Sequence, residues 1–289
     1  MSLPAAAKKH VDVPAGRIAY TETGPADAPV ALYVHGVIVN GHLWRHQLTG
    51  FAGIRRNIAV DLLGHGDSIA ADGQPVTFTA QADALRQVLD ALHVSTVDLV
   101  ANDSGTGIAQ IFAAASPHRL RTLVLTNGDV HDNWPPAEFA AFTDRVKAGE
   151  LASIVRRFAA DHDYYRSADG LRGAYQYPDA VADADIDAYI GPYLANPAQI
   201  DDLERFILAF DPAQTVAIAG QLRILTVPTL VAWGTGDIFF DPSWARWLAS
   251  TIPGVRRTLL LDGAALLLPE ERAADLNPAI AEHWAHAGR

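Results

Sequence analysis

The chain has 289 residues, with 33 acidic against 22 basic side chains and a formal charge of −11, which sets nucleic acid and anionic membrane surfaces aside as partners. It has no cysteine, so disulfides, thiolate metal sites and a cysteine nucleophile are excluded. Apolar residues make up 49% and charged ones 19%, the make-up of a globular protein with a sizeable core. The opening Met1-Ser2-Leu3-Pro4 lacks a charged-then-apolar leader, and no stretch reaches the ~20 apolar residues of a spanning helix, so a cytoplasmic protein is expected.

In chain order, residues 11–13 and 17–20, joined by Pro14-Ala15-Gly16, read as a hairpin. Residues 30–34 (Val-Ala-Leu-Tyr-Val) are continuously apolar, the pattern of a strand covered on both faces. That strand ends at His35-Gly36-Val37-Ile38-Val39-Asn40, and a helix is expected over 44–51. A strand over 57–60 runs into Asp61-Leu62-Leu63-Gly64-His65-Gly66-Asp67-Ser68. Leu85, Val88, Leu89 and Leu92 set a helical period over 79–92, and buried strands follow at 97–101 and 123–126. Alternation then stops. Asn133-Trp134-Pro135-Pro136 breaks the chain, and helical segments rich in tyrosine (Tyr164, Tyr165, Tyr175, Tyr177, Tyr189, Tyr193) run to about residue 223. Strands at 228–233 and 258–261 and helices at 242–250 and 274–285 complete the pattern, with His283 and His286 expected on the surface of the last helix. Strand–helix repetition that stops and resumes means a mostly parallel α/β sheet with helices on both faces and an inserted helical cap. The expected division is core over 1–130, cap over 131–223 and core again over 224–289.

The segment that organises the chain is Ala101-Asn102-Asp103-Ser104-Gly105, where a buried strand turns sharply into a helix. Ala101 and Gly105 flank Asp103 in a small-x-nucleophile-x-small pattern. Small neighbours let a strained turn hold the central side chain up at a helix N-terminus, where free N–H groups favour an anion. With Ser104 at the tip the flanking residues become Asn102 and Thr106, a poorer fit.

On these motifs the whole chain resembles the α/β-hydrolase fold superfamily. His35-Gly36 is similar to that family's turn after the third strand, which implies an oxyanion hole from the backbone N–H groups of Val37 and Ser104. An aspartate at the tip resembles the haloalkane dehalogenase and epoxide hydrolase branch, in which a carboxylate attacks carbon and the ester is hydrolysed by a histidine-activated water. Trp233-Gly234-Thr235-Gly236-Asp237 resembles the turn that supplies the acid orienting that histidine. The resemblance implies a small, mostly apolar substrate between core and cap, no cofactor and no metal, and a monomer or homodimer. It also nominates His35, Asn40, Asn102, Trp134 and Leu266 as substrate-binding positions.

The sequence departs from the pattern at the base. Asp262-Gly263-Ala264-Ala265-Leu266 ends in leucine where the family carries histidine, and a leucine cannot activate water. His131, after the strand that follows the elbow helix, is the candidate replacement, with Asp129 or Asp132 to orient it, because loops at the carboxyl ends of neighbouring strands converge. The branch's halide-binding Trp after the nucleophile is Ser104 here. A cap tyrosine offers a proton for an epoxide oxygen, or simply lines an apolar pocket. Three readings remain: a hydrolase using Asp103 as nucleophile or acid/base with Asp237 and His131; a ligand-binding protein that has kept the pocket and lost the chemistry; and a cofactor-free lyase, isomerase or oxygenase.

Overall fold

The apolar runs become the inner strands of one nine-stranded sheet. The computed structural model describes residues 7–287. The strands are β1 (Lys9–Val13), β2 (Gly16–Thr23), β3 (Val30–Val34), β4 (Arg56–Val60), β5 (Ile69–Ala70), β6 (Val97–Asp103), β7 (Leu120–Gly128), β8 (Thr229–Gly234) and β9 (Val255–Leu261). They lie in the order β1-β2-β4-β3-β6-β7-β8-β9, with the two-residue β5 beside β2. The β2 strand is antiparallel to β1 and β4, and every pairing from β4 across to β9 is parallel. Every residue of β3, β6 and β8 is buried, as continuous apolar runs require.

A single 3-10 turn at Gly41–Trp44, capped by the Asn40 side chain, leads into α1 (Arg45–Gly50). Thr77 caps α2 (Phe78–Ala91), and α3 (Ser104–Ala115) leaves the end of β6 without a linker. Between β7 and β8 the regular elements are all helical: α4 (Ala140–Lys147), α5 (Leu151–Ala160), α6 (His162–Tyr165), α7 (Asp183–Ala195), α8 (Ala198–Leu208), α9 (Ala213–Val216) and α10 (Ala219–Leu222), with short 3-10 turns. The chain returns through α11 (Ser243–Thr251), α12 (Leu268–Glu271) and α13 (Ala273–Ala287). α2 packs on α3 and α1 on α13, with α3 lying against β6 and β7, α13 against β7 and β8, and α11 against β8 and β9. No helix among the described residues is long and apolar enough to cross a membrane.

One expectation about α13 is corrected. His283 is buried, because Leu276, Ala279, Ile280, His283 and Trp284 share the helix face turned to the core, and burial lowers its pKa.

The helical insertion is tied to the core on two sides. On the first, Asp185 of α7 meets His42 at 2.7 Å and Arg45 at 3.0 Å, and the Asn40 side chain donates to the Ala188 carbonyl at 2.8 Å. Arg45 also pairs with Glu270 of α12 at 3.0 Å, and the Tyr189 hydroxyl donates to Glu270 at 2.5 Å. Beside them on that side, the Glu271 carboxylate accepts the N–H groups of Gln176 and Tyr177 at 2.7 Å each, and the Leu267 N–H donates to the Ala174 carbonyl at 3.0 Å. On the second, towards the start of α2, the Gln199 amide donates to the Ser68 carbonyl at 2.9 Å and the Thr79 N–H donates to Gln214 Oε1 at 3.0 Å.

Candidate active site

Asp103 sits at the tip of the turn from β6 into α3 with φ 57° and ψ −130°, a conformation that costs a non-glycine residue of order 1–3 kcal/mol. The turn is possible because its neighbours are stripped of side chain. A Cβ on Gly36 would lie 2.1 Å from Asp103 Oδ2, and one on Gly105 would lie 2.5 Å from the Val34 carbonyl oxygen.

The Asp103 carboxylate rests on two backbone donors. The Val37 N–H donates to Oδ2 at 2.9 Å, and the Ser104 N–H, first in α3, also bonds the carboxylate. The loop that aims Val37 is tight: Ile38 has φ 70°, and the Val39 N–H donates to the Val37 carbonyl at 2.8 Å, a γ-turn of the rare positive-φ form. These are the two N–H groups nominated from sequence, and here they hold the aspartate itself.

Above Asp103 is a cavity of ≈ 110 Å³ between the sheet's carboxyl edge and the insertion. Its walls are mostly apolar, with the rings of Phe139, Phe142, Phe210, Phe239 and Phe240 and the side chain of Leu266. The polar side chains at its surface are Asp103, Ser104, Asp129 and the exposed Glu138; among the described residues no lysine, arginine, histidine or tyrosine lines it.

Three buried carboxyls cluster here without a cation lining the cavity. Burial pushes Asp103 up to about 7; the Val37 and Ser104 N–H groups pull the other way and the charge of Asp237 adds to the rise. Asp129 is held well above the ordinary carboxylate range, by burial first and by the neighbouring Asp103 charge second. Its Oδ2 is buried with no hydrogen-bond partner among the described residues. Burial raises Asp237 to about 6, although the Phe239 N–H donates to its Oδ1 at 2.8 Å and the Asn127 amide to its Oδ2 at 2.7 Å.

Of the residues nominated from sequence, Asp103, Val37, Ser104 and Leu266 come together at the cavity. Asp237 lies behind that wall, held by Asn127. His131 does not line the cavity: it is half-buried, with Nδ1 3.0 Å from the exposed Asp132 carboxylate and its ring 5.0 Å from that of Trp247. The β7 loop turns it away with φ 52°, so the convergence of loops brings Asp129, not His131, over the elbow.

The remaining nominees serve the framework. His35 is fully buried; its Nε2 accepts the Leu62 N–H at 2.9 Å, its Nδ1 lies 2.7 Å from the Gly36 carbonyl, and burial drives its pKa down to about 3. That makes it a neutral brace donating from Nδ1. Asn40 caps the 3-10 turn and ties to Ala188. Asn102 donates to Thr126 Oγ1 and to the Leu266 carbonyl, each at 2.8 Å, and so fixes Leu266 without facing the cavity. Trp134 donates to Thr215 at 2.7 Å and stacks on Phe78 with centroids 4.2 Å apart. None of the cap tyrosines lines the cavity: Tyr165 and Tyr175 meet through their hydroxyls at 3.0 Å, Tyr189 donates to Glu270, and Tyr177 is exposed.

Sequence reasoning treated Asp129 only as an orienter for His131. Its signal was there, since a carboxyl directly after a buried parallel strand beside the nucleophile strand belongs to the convergent edge.

A parallel sheet in this strand order, a strained strand–turn–helix with an acid at its tip and a helical cap define an α/β hydrolase. The family model described as alpha/beta hydrolase fold matches residues 29–271. The chain belongs to that family and, within it, to the haloalkane dehalogenase and epoxide hydrolase branch; it is an α/β-hydrolase enzyme. It is 35% identical over 288 aligned positions to a haloalkane dehalogenase of Bradyrhizobium diazoefficiens, covering 89% of this chain and 87% of that one. It is 24% identical over 270 positions to epoxide hydrolase 4 of Mus musculus, covering 88% and 73% of the two chains. In fold it is similar to the crystal structure of an α/β hydrolase fold protein from Burkholderia ambifaria, with a TM-score of 0.80, 22% identity and 98% and 99% coverage.

Proposed function

We propose that this enzyme hydrolyses a small, mostly apolar electrophile in the cavity between core and cap, with Asp103 as the nucleophile. The observation that carries this reading is the seating of Asp103 Oδ2 on the Val37 N–H at the floor of an apolar cavity. With that oxygen held, the other is free to attack carbon. The held oxygen then becomes the carbonyl oxygen of the ester, already polarised for addition of water. The names of the relatives support a carbon electrophile, since haloalkane dehalogenases and epoxide hydrolases both take one.

The cavity limits size. At ≈ 110 Å³ it is smaller than the ~150 Å³ that houses the six carbons of a benzene, so substrates of about five heavy atoms fit. Among the described residues no tryptophan or asparagine side chain lines it to receive a halide, which favours an oxygen leaving group over a halide.

The test is intact-protein mass and product analysis after incubation with small epoxides, haloalkanes and activated esters, beside Asp103→Asn. The expected result is an adduct or product with the wild type that Asp103→Asn does not give. Saturable binding with neither adduct nor product across the panel would replace this reading with that of a ligand-binding protein.

A further inference from the structure

Resting on the reading of Asp103 as nucleophile, we propose that Asp129 is the proton donor and acceptor of this site, a catalytic carboxyl that does the work of the missing histidine. The geometry is specific. Asp129 follows β7 directly, beside the tip of β6, where Gly128 pairs with Asp103. Its N–H donates to the Asp103 carbonyl at 3.4 Å, and its own carbonyl accepts the Gln110 amide at 2.8 Å. The backbone is thus pinned from two sides, and the side chain faces the same cavity as Asp103.

The Ser104 hydroxyl bonds the Asp129 carboxyl, but among the described residues its Oδ2 has no partner although the residue is buried, which for a carboxyl oxygen calls for a ligand, a water or a proton. The rivals for the role are few. Leu266 and the phenylalanines have no proton to give, Ser104 is a poor acid, and Glu138 is exposed at the mouth. Asp237 is engaged by Asn127 and Phe239.

The two carboxyls line one apolar cavity, and the charge of Asp103 opposes a second charge on Asp129, so between their two ionisations the pair holds one proton. Asp103, which the Val37 and Ser104 N–H groups favour as the anion, is the member that ionises first as pH rises through about 7, and Asp129 keeps its proton, so the reactive form is Asp103 carboxylate beside Asp129 acid. With a cyclic ether as substrate, Asp103 forms a bond to carbon, the carbon–oxygen bond breaks, and Asp129 gives its proton to the departing oxygen. The product is an Asp103 ester carrying a hydroxyl, and Asp129 is now the carboxylate. Esterification has removed the charge that kept Asp129 protonated, so it is a base when one is needed. It takes a proton from water as the water oxygen adds to the ester carbon, and the oxyanion sits on the Val37 and Ser104 N–H groups. Collapse breaks the ester bond, the alkoxide takes the proton of the new carboxylic acid, and the pair returns to its starting state.

Two probes separate the roles: 1,2-epoxybutane, whose leaving oxygen needs a proton, and 1-iodobutane, whose leaving group does not. With 1-iodobutane, iodide leaves without a proton, Asp129 loses its own to solvent once Asp103 is an uncharged ester, and wild type then releases butanol, while Asp129→Asn accumulates one butyl group on Asp103. With 1,2-epoxybutane, diol formation falls at least about 100-fold in Asp129→Asn, the usual scale for a lost general acid or base. A second measurement needs no variant: the wild-type rate of diol formation against pH has two limbs, one for Asp103 losing and one for Asp129 keeping its proton, with Asp237 and Glu138 the other acids around the pair. Full diol formation by Asp129→Asn, or a profile with a single limb, overturns the assignment while leaving Asp103 as nucleophile. Wild type that reacts with neither probe overturns the nucleophile reading itself.

Discussion

Asp103 Oδ2 and the Val37 amide nitrogen stand 2.9 Å apart, a formed hydrogen bond between the tip of the elbow and the loop after β3. The contact exists because Gly36 has no side chain: a Cβ there would lie 2.1 Å from the same oxygen. Gly36→Ala therefore forces the carboxylate off its donor. The expected outcome is an adduct-forming rate about 100-fold lower, the scale of one lost oxyanion donor, measured by mass spectrometry under single-turnover conditions.

Asp103 also sets a pH dependence of stability. Its pKa rises from an ordinary carboxylate value to about 7 on folding, so the native state binds the proton more tightly than the unfolded chain. That contribution is present in full below about pH 4 and is lost as pH rises through 7. Asp103→Asn removes the cost of the buried charge. It is expected to be more stable than wild type by about 2–4 kcal/mol at pH 8 and nearly equal to it at pH 4, in urea melts at the two pH values.

Arg45 joins core to cap by pairing with both Asp185 and Glu270. Arg45→Met keeps the stem and removes the charge, which leaves the buried Glu270 with only the Tyr189 hydroxyl of these two partners. Stability is expected to fall by about 3 kcal/mol, the low end for breaking a buried pair because Arg45 is partly exposed. Denaturant melts measure it.

His131 bonds to an exposed carboxylate and stays outside the cavity. His131→Ala is expected to keep turnover within about twofold of wild type, as ordinary surface changes do. A loss on the scale of a missing base, measured in the same product assay, would return it to the mechanism.

The core was legible wherever one local signal decided it. Continuous apolar runs gave β3, β6 and β8, and the small residues around Asp103 gave the elbow. Sites that depend on where a side chain points after a loop were not legible. His131 and Asp129 are two residues apart on one loop, and only the turn at φ 52° decides which of them meets Asp103. Asn102 and Trp134 looked like binding residues because polar and aromatic groups near an elbow have that composition. Their partners, the Leu266 carbonyl and Phe78, are distant in sequence and come together only in the folded chain. His283 was within reach of periodicity, since Ile280 and Leu276 share its face.

The two-sided attachment of the insertion bears on traffic. Asp185, Gln176 and Tyr177 are moored at one flank, and Gln199 and Gln214 are moored at the other, so the roof is fastened on both sides. Passage to Asp103 must then come from rotation of individual rings such as Phe139 and Phe239 at the cavity wall. Such a gate sorts molecules by girth before any bond is made, and it delays the departure of a product that has grown by a water.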